Sequence, residues 1–251
     1  MAHLKGKARA SYVREMFGKI APRYDLMNRL MTGGRDVVWR RIVVREAQLP
    51  HGGRLLDVAT GTGDIALEAL RQISDLRVVG ADFSLEMMQL GRSKPAAERI
   101  GWTGADTLAL PFPDNIFDAV TSGFMLRNVI DVSRSLVEQY RVVKTGGRMV
   151  CLEISRPPRN LLLPRVAYRF YFHCIVPLMG QLVSGDRNAY TYLPQSADKF
   201  LSPDELADLM RRAGWREVRY RRLMMGTVAI HVGVKPSRQD LNSAPTITSA
   251  K

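Results

Sequence analysis

The chain has 251 residues, 46% of them hydrophobic and 24% charged, with a formal net charge of +13. That length and balance suit one large α/β domain with a full core and exclude a disordered or fibrous chain. The two cysteines, Cys151 and Cys174, sit in apolar runs without zinc or redox spacing, which excludes a disulfide scaffold and points to a reduced, intracellular setting.

Residues 1–12 are polar and basic, carry no apolar stretch of the kind a secretory signal needs, and read as a flexible lead. Val13–Ala47 predicts two or three helices, with Met16, Phe17, Ile20 and Tyr24 at helical spacing. After a turn at Pro50–Gly53, Arg54–Ala59 is a short apolar strand of the kind buried on both faces of a parallel sheet. A helix over Ile65–Arg71, a strand over Leu76–Ala81 and a helix over Ser84–Arg99, with Ser84 as N-cap, follow. Trp102–Ala105 and Phe117–Ser122 predict two more strands, Val132–Val143 a helix, Lys144–Gly147 a turn and Arg148–Ile154 a fifth strand. Arg156–Ala197 is aromatic-rich and irregular in pattern. Its most apolar part, Phe170–Val183, is too short for a membrane span and is interrupted by His173, Pro177 and Gln181. Ser202–Ala213 reads as a capped helix, Glu217–Leu223 and Val228–Val234 as an antiparallel pair, and residues 237–251 as a disordered tail. Strands alternating with helices predict a parallel sheet covered on both faces.

The charge is unevenly placed. Residues 51–155 hold 11 basic and 13 acidic residues, whereas residues 1–50 hold 11 and 4, and residues 156–185 four arginines and no acid. A basic periphery around a slightly acidic core attracts phosphates, whether of nucleic acid or of an anionic lipid surface.

Leu55-Leu56-Asp57-Val58-Ala59-Thr60-Gly61-Thr62-Gly63-Asp64 is a strand running into a glycine turn that opens a helix. Glycines belong there because the chain turns tightly and lets a ligand approach its backbone. Asp82 ends the next strand, where a carboxylate can accept hydrogen bonds from both ribose hydroxyls. Such a loop also passes as a dinucleotide fingerprint, so the ligand has to be chosen. Asp57 and Asp64 flank the loop; they disfavour a doubly negative pyrophosphate and favour a ligand bearing an ammonium and a sulfonium, S-adenosylmethionine. Asp57 can at the same time cap loop amides. Asp106, after the third strand, is placed to meet the adenine amino group.

The run Asp57–Asp64, with Ala109-Leu110-Pro111-Phe112-Pro113-Asp114-Asn115 and Phe117-Asp118, closely resembles class I methyltransferases. Met16-Phe17, Ile20-Ala21, Arg23-Tyr24-Asp25, Trp39-Arg40-Arg41, Leu126-Arg127-Asn128-Val129, Ser184-Gly185-Asp186, Tyr192-Leu193-Pro194 and Ala229-Ile230-His231-Val232-Gly233 narrow this. They resemble the bacterial menaquinone/ubiquinone C-methyltransferase family over about Val13 to Pro236. The resemblance implies a Rossmann-like, seven-stranded α/β fold with helices on both faces, in one domain over 13–236. Within it, residues 13–50 would be a helical cap and residues 156–197 a substrate-side insertion. It implies methylation of a ring carbon of a polyprenylated quinol, demethylmenaquinol foremost, with S-adenosylmethionine as cofactor and Thr62, Asp82, Asp106 and Thr107 as contacts. Gly123 aligns with a position that is serine in some members, so any contact there lacks a hydroxyl.

The accepting carbon must be held in line with the sulfonium methyl, with help for phenol deprotonation and a dry site. Arg127 and Asn128 follow the fourth strand at the carboxyl edge of the sheet. A guanidinium there can stabilise a developing phenolate, or it can bridge a strand end to a helix. Glu153 can accept a proton or tie down a loop. His173 and His231 are weaker candidates, and Tyr190 and Tyr192 can orient the ring or simply pack. Phe170–Val183 and the N-terminal helices are expected to form either a plain cap or an apolar channel for the isoprenoid tail, with flanking arginines meeting lipid headgroups. A nucleic-acid substrate is not expected, because Ser122-Gly123-Phe124-Met125 stands where amino methylation uses an Asn/Asp-Pro-Pro-aromatic run. The expected setting is the cytoplasm, with peripheral contact at the inner face of the cytoplasmic membrane; a homodimer remains open.

Overall fold

The computed structural model describes residues 6–158, 160–185 and 187–237. Residues 1–5, Asp186 of the Ser184–Asp186 motif, and the expected tail beyond Ser237 lie outside that set.

Two helices lead, α1 (Gly6–Thr32) and α2 (Arg35–Ala47). Residues 6–12, expected as part of a flexible lead, form the first turns of α1, where the Arg9 guanidinium donates to the Arg127 carbonyl at 2.6 Å. The alternating part follows as β1 (Arg54–Val58), α3 (Asp64–Gln72), β2 (Arg77–Asp82), α4 (Leu85–Arg92), β3 (Ile100–Gly104), β4 (Phe117–Gly123), α5 (Val132–Val142) and β5 (Val143–Ile154). Ser84 caps α4 as expected, accepting from the Met87 N–H at 3.4 Å. The helix ends seven residues earlier than its pattern suggested, since Pro95 pushes the residue before it out of the helical region.

The expected turn at Lys144–Gly147 is instead a bulge inside β5. Phe117 pairs with Val143 and Ala119 with Arg148, so the intervening residues arch out, with Gly146 at φ +78°. The segment after β5 departs further from expectation. Rather than irregular, it is α6 (Leu162–Phe170), a π turn (Tyr171–Ile175), α7 (Val176–Ser184) and α8 (Arg187–Lys199). Pro164 falls in the first turn of α6, where no intrahelical N–H is lost, whereas Pro177 stands where the helix resumes after the π turn and withholds one N–H there. The chain closes with α9 (Pro203–Arg212), whose Ser202 and Glu205 make a reciprocal capping box, then β6 (Arg216–Leu223) and β7 (Val228–Val234).

The seven strands form one sheet in the order β3-β2-β1-β4-β5-β7-β6, with β7 antiparallel to both neighbours. Side chains alternate across it: Leu55 joins Val43, Val44 and Ala69 in one core, while Leu56 joins Leu136, Met210 and Trp215 in another. A third cluster, with Met16, Ile20, Val176 and Tyr192, unites α1, α7 and α8.

Candidate functional site

Strand order reverses between β1 and β4: β2 lies on one side of β1 and β4 on the other. The loops leaving their carboxyl ends diverge, which opens a crevice at that edge. Two cavities occupy this edge and meet beneath α1.

The smaller, about 150 Å³, is bounded by Gly61 after β1, Asp82 at the end of β2, Asp106 and Thr107 after β3, and Gly123 at the end of β4. Five of the eight residues expected to contact cofactor are thereby brought together. The Gly61 N–H donates to Asp82 Oδ2 at 2.6 Å and the Ser84 N–H to Oδ1 at 2.7 Å, which fixes the carboxylate plane. Burial raises the Asp82 carboxyl above its ordinary value, and the N–H groups pull it part of the way back. Gly61 sits at φ +57°, and a Cβ there would lie 3.3 Å from the Met87 methyl. Thr107 Oγ1 shares a 2.6 Å hydrogen bond with Ser135, and Asp106 Oδ1 accepts from the Leu108 N–H at 2.9 Å. Phe83, with the Arg14 guanidinium 5.6 Å above its ring, and Met87 add apolar walls.

Asp57, Thr62 and Gly63 do not line this cavity. Asp57 lies below it at 1% exposure, accepting from Thr60 Oγ1 at 2.7 Å and Thr121 Oγ1 at 2.8 Å, and burial pushes it up to about 7. The Thr62 hydroxyl donates to Asp25 of α1 at 2.7 Å and accepts from Lys94 at 2.9 Å. Gly63, at φ +80°, opens α3, and the Trp102 ring stands 2.6 Å from where its Cβ would be. Asp64 is neutralised by Lys94 at 2.5 Å and Arg40 at 3.0 Å. The negative lining therefore comes from Asp82 and Asp106 rather than from Asp57 and Asp64. A buried loop carboxylate must find partners within the protein, and these two have done so.

The larger cavity, about 240 Å³, is almost wholly apolar. Met16, Phe17, Ile20 and Tyr24 of α1 form one wall, Pro164, Ala167 and Tyr168 of α6 another, and Tyr190, Tyr192 and Leu193 of α8 a third. Of the expected channel segment Phe170–Val183, only Tyr171 and Phe172 reach it; Leu178 is 56% exposed on the outer side. Phe17, Tyr24, Phe124 and Asn128 line both cavities and mark their junction.

Arg127 borders the larger cavity beside that junction. Its Nη1 donates to Glu153 Oε2 at 3.1 Å and to the Phe124 carbonyl at 2.6 Å, while its buried Nε has no hydrogen-bond partner among the described residues. Burial raises the Glu153 carboxyl and the Arg127 charge opposes that rise. Glu153 also accepts from the Leu126 N–H at 2.6 Å, so it anchors the turn that carries Arg127. Asn128 donates to the Phe124 carbonyl at 3.2 Å and accepts from the Tyr192 hydroxyl at 3.2 Å. Burial raises the Tyr24 phenol.

Of the two histidine candidates, neither lines either of these cavities. His173 pairs with Asp198 at 3.0 Å among the helices after β5, and His231 Nε2 faces the Pro203 carbonyl at 2.9 Å with its ring pushed down to about 4 by burial. Sequence reasoning gave no site role to Tyr24, Phe124 or Met225. The helical spacing of Phe17, Ile20, Tyr24 and Asn28 carried a signal for the first. No pattern announces Phe124 or Met225, which reach the cavities through positive φ angles of 57° and 53°.

Known proteins are similar to this chain over most of its length. A profile of the ubiE/COQ5 methyltransferase family matches residues 5–235. The chain is 48% identical over 227 residues to a demethylmenaquinone methyltransferase of Roseiflexus castenholzii, covering 90% of this chain and 94% of that one. It is 48% identical over 223 residues to the ubiquinone/menaquinone biosynthesis C-methyltransferase UbiE of Desulfotalea psychrophila, covering 89% and 90%. Among solved structures, the [4+2]-cyclase SpnF shares the fold with a TM-score of 0.66 at 20% identity, over 89% of this chain and 96% of that one. A SAM-dependent methyltransferase of Thermotoga maritima, described as a possible histamine N-methyltransferase, does so at 0.62 and 22%, over 88% and 99%. The sheet order, the glycine turn facing Asp82 and the sequence match agree: this chain belongs to the ubiE/COQ5 methyltransferase family.

Proposed function

We propose that the protein methylates a ring carbon of a polyprenylated quinol in quinone biosynthesis, with demethylmenaquinol as the favoured substrate and S-adenosylmethionine as cofactor. The observation that carries this reading is the pair of joined cavities: one has a strand-end carboxylate and a glycine turn, and the other is apolar with a buried arginine near the junction.

Gly61, Asp82, Asp106, Thr107 and Gly123 would hold the cofactor. Negative Asp82 and Asp106, with apolar Phe83 and Met87, fit a cationic ligand with an aromatic base and no phosphate. When bound, the cofactor supplies an electrophilic methyl group on a sulfonium. The protein's own part is positioning, dryness and charge. The apolar walls of the larger cavity take the isoprenoid tail, and Phe17, Tyr24 and Phe124 exclude water where the cavities meet. Arg127, held by Glu153, would stabilise the phenolate and so favour loss of the phenolic proton; the phenolate in turn delocalises electron density onto the neighbouring carbon that takes the methyl group. Asn128, fixed by Phe124 and Tyr192, orients the ring. In this reading residues 13–50 cap both cavities and residues 156–197 wall the substrate side of one domain over 13–236. Work on a membrane-held quinol would take place from the cytoplasm by peripheral contact with an anionic surface. Among the described residues no helix is long and apolar enough to cross a membrane.

The test is to incubate purified protein with methyl-labelled S-adenosylmethionine and a short-tailed demethylmenaquinol. Label is expected on the naphthoquinol ring carbon. Cofactor binding without any transfer would overturn the reading in favour of a scaffold role.

A further inference from the structure

Among the described residues, the helices after β5 carry an apolar face that no other part of the protein covers. On α6, Leu162 is 74% exposed, Leu163 84%, Val166 59% and Phe170 61%; on α7, Leu178 is 56% and Leu182 76%. Carried on without interruption at about 100° per residue, the apolar run of α6 would drift round the helix before it reached α7. The π turn at Tyr171–Ile175 absorbs one extra residue and takes back about that rotation. Leu178 and Leu182 therefore return to the sector of Leu162, Val166 and Phe170, while Tyr168, Val176 and Gly180 face inward and are buried. The result is one apolar stripe roughly 30 Å long.

The charged side chains of α6 and α7 are arginines, and the one carboxylate that meets these helices among the described residues is Asp198 of α8, paired with His173 of the π turn at 3.0 Å. Arg165 and Arg169 are exposed on α6, and Arg23 reaches the far end of α7, donating to the Val183 carbonyl at 2.6 Å. No acidic residue lies between Arg156 and Gly185. A second copy laid on this face in two-fold fashion would bring arginine against arginine. An anionic phospholipid surface complements both the charge and the leucines. The stripe also backs onto the larger cavity: Pro164, Ala167 and Tyr168 of α6 form its wall, and Met225, 69% exposed, stands at its rim.

We infer that the outer face of α6–α7 is a membrane-docking surface for anionic phospholipid bilayers, lying in the interface with its arginines at headgroup level and the mouth of the apolar cavity against the lipid. The function assigned to this mouth, admission of a long-tailed quinol, rests on the reading proposed above; the docking itself does not.

Co-sedimentation with vesicles of phosphatidylglycerol and phosphatidylcholine tests it, using the full chain and the double variant Leu163→Glu/Leu182→Glu, neither residue lining a cavity. The wild type should bind these vesicles at least tenfold more tightly than pure phosphatidylcholine vesicles, with binding weakened by salt. The variant should lose at least tenfold in binding to the mixed vesicles and turn over long-tailed quinol in vesicles slowly. It should keep wild-type turnover of a short-tailed, soluble quinol, which also shows that it is folded. Equal vesicle binding by both proteins, or none by either, would overturn the inference. So would sedimentation showing a wild-type dimer that the variant splits. Failure of both proteins to methylate the short-tailed quinol would count against the proposed chemistry and leave the docking result to stand by itself.

Discussion

Arg127 and Glu153 are both almost fully buried, with side-chain exposures of 5% and 2%, so the pair has two separable effects. Removing one partner strands a charge at a cost of about 3–5 kcal/mol, whereas replacing both by apolar groups is often neutral. Arg127→Met is therefore expected to lower Tm, and to lower kcat by about 100-fold or more if the guanidinium stabilises a phenolate. In Arg127→Met/Glu153→Gln, which removes both charges but keeps an acceptor for the Leu126 N–H, most of the stability should return and activity should not; recovery of both would make the arginine a packing residue. Asp57 gives a second test. Its carboxyl is pushed from 3.8 to about 7, so the folded state binds the extra proton between those values. The stabilisation is complete below about pH 4 and lost as pH rises through 7, by up to about 4 kcal/mol. His231, pushed down from 6.5 to about 4, runs the opposite way in an overlapping window. The informative quantity is thus the urea-unfolding difference between Asp57→Asn and wild type, which should shift in the variant's favour from pH 5 to pH 8. A pH-independent difference would mean that Asp57 stays ionised throughout. The residue types at this turn were legible in the sequence, but the direction each side chain takes was not. Asp57 turns under the loop to meet Thr121, which is 64 positions away.

Among the elements, α1 decides most about the site, because it walls both cavities while lying outside the two cores that flank the sheet. One cation links it to the glycine loop: Lys94 contacts Asp25 of α1 at 2.6 Å, Asp64 of α3 at 2.5 Å and the Thr62 hydroxyl at 2.9 Å. Replacing Lys94 with Met leaves two carboxylates without their shared partner. These groups are partly exposed, so the expected loss is about 1 kcal/mol. It should appear as a roughly fivefold higher KM for S-adenosylmethionine with kcat little changed, and as faster hydrogen exchange in α1. An unchanged KM would mean that apolar packing alone seats the helix. Periodicity made α1, α3, α5 and α9 readable in advance, since each buries one stripe against a core. It failed after β5, where α6 and α7 have an apolar stripe facing outward as well as an inner face. A pattern that is apolar on two sides, broken by prolines and rephased by a π turn, has no single helical period to find.

For the molecule as a whole, the central strands are the least accessible part and the helices after β5 among the most open. The cysteines sample both, for Cys174 is exposed on the π turn and Cys151 is buried in β5, where desolvation raises its thiol. A thiol reagent should therefore modify one cysteine promptly in the native protein and the second only at the rate of global unfolding. Prompt reaction of both would show that the β5–β7 pairing opens locally. Apolar strand runs, the glycine turn with Asp82 some twenty residues on, the capping residues of α4 and α9 and the closing antiparallel pair were determined by the sequence itself. Each depends on interactions between near neighbours or on burial of a short run. Tertiary structure alone decided that Thr62 bonds Asp25 of α1 and Asp64 pairs with Lys94 and Arg40 rather than lining the cavity, that Tyr24 and Phe124 meet at the junction, and that the outer face of α6–α7 is uncovered among the described residues. Those outcomes depend on which distant groups come within a few ångströms once the sheet order reverses between β1 and β4. Contact across such separations follows from the packing of whole layers, for which local pattern holds no record.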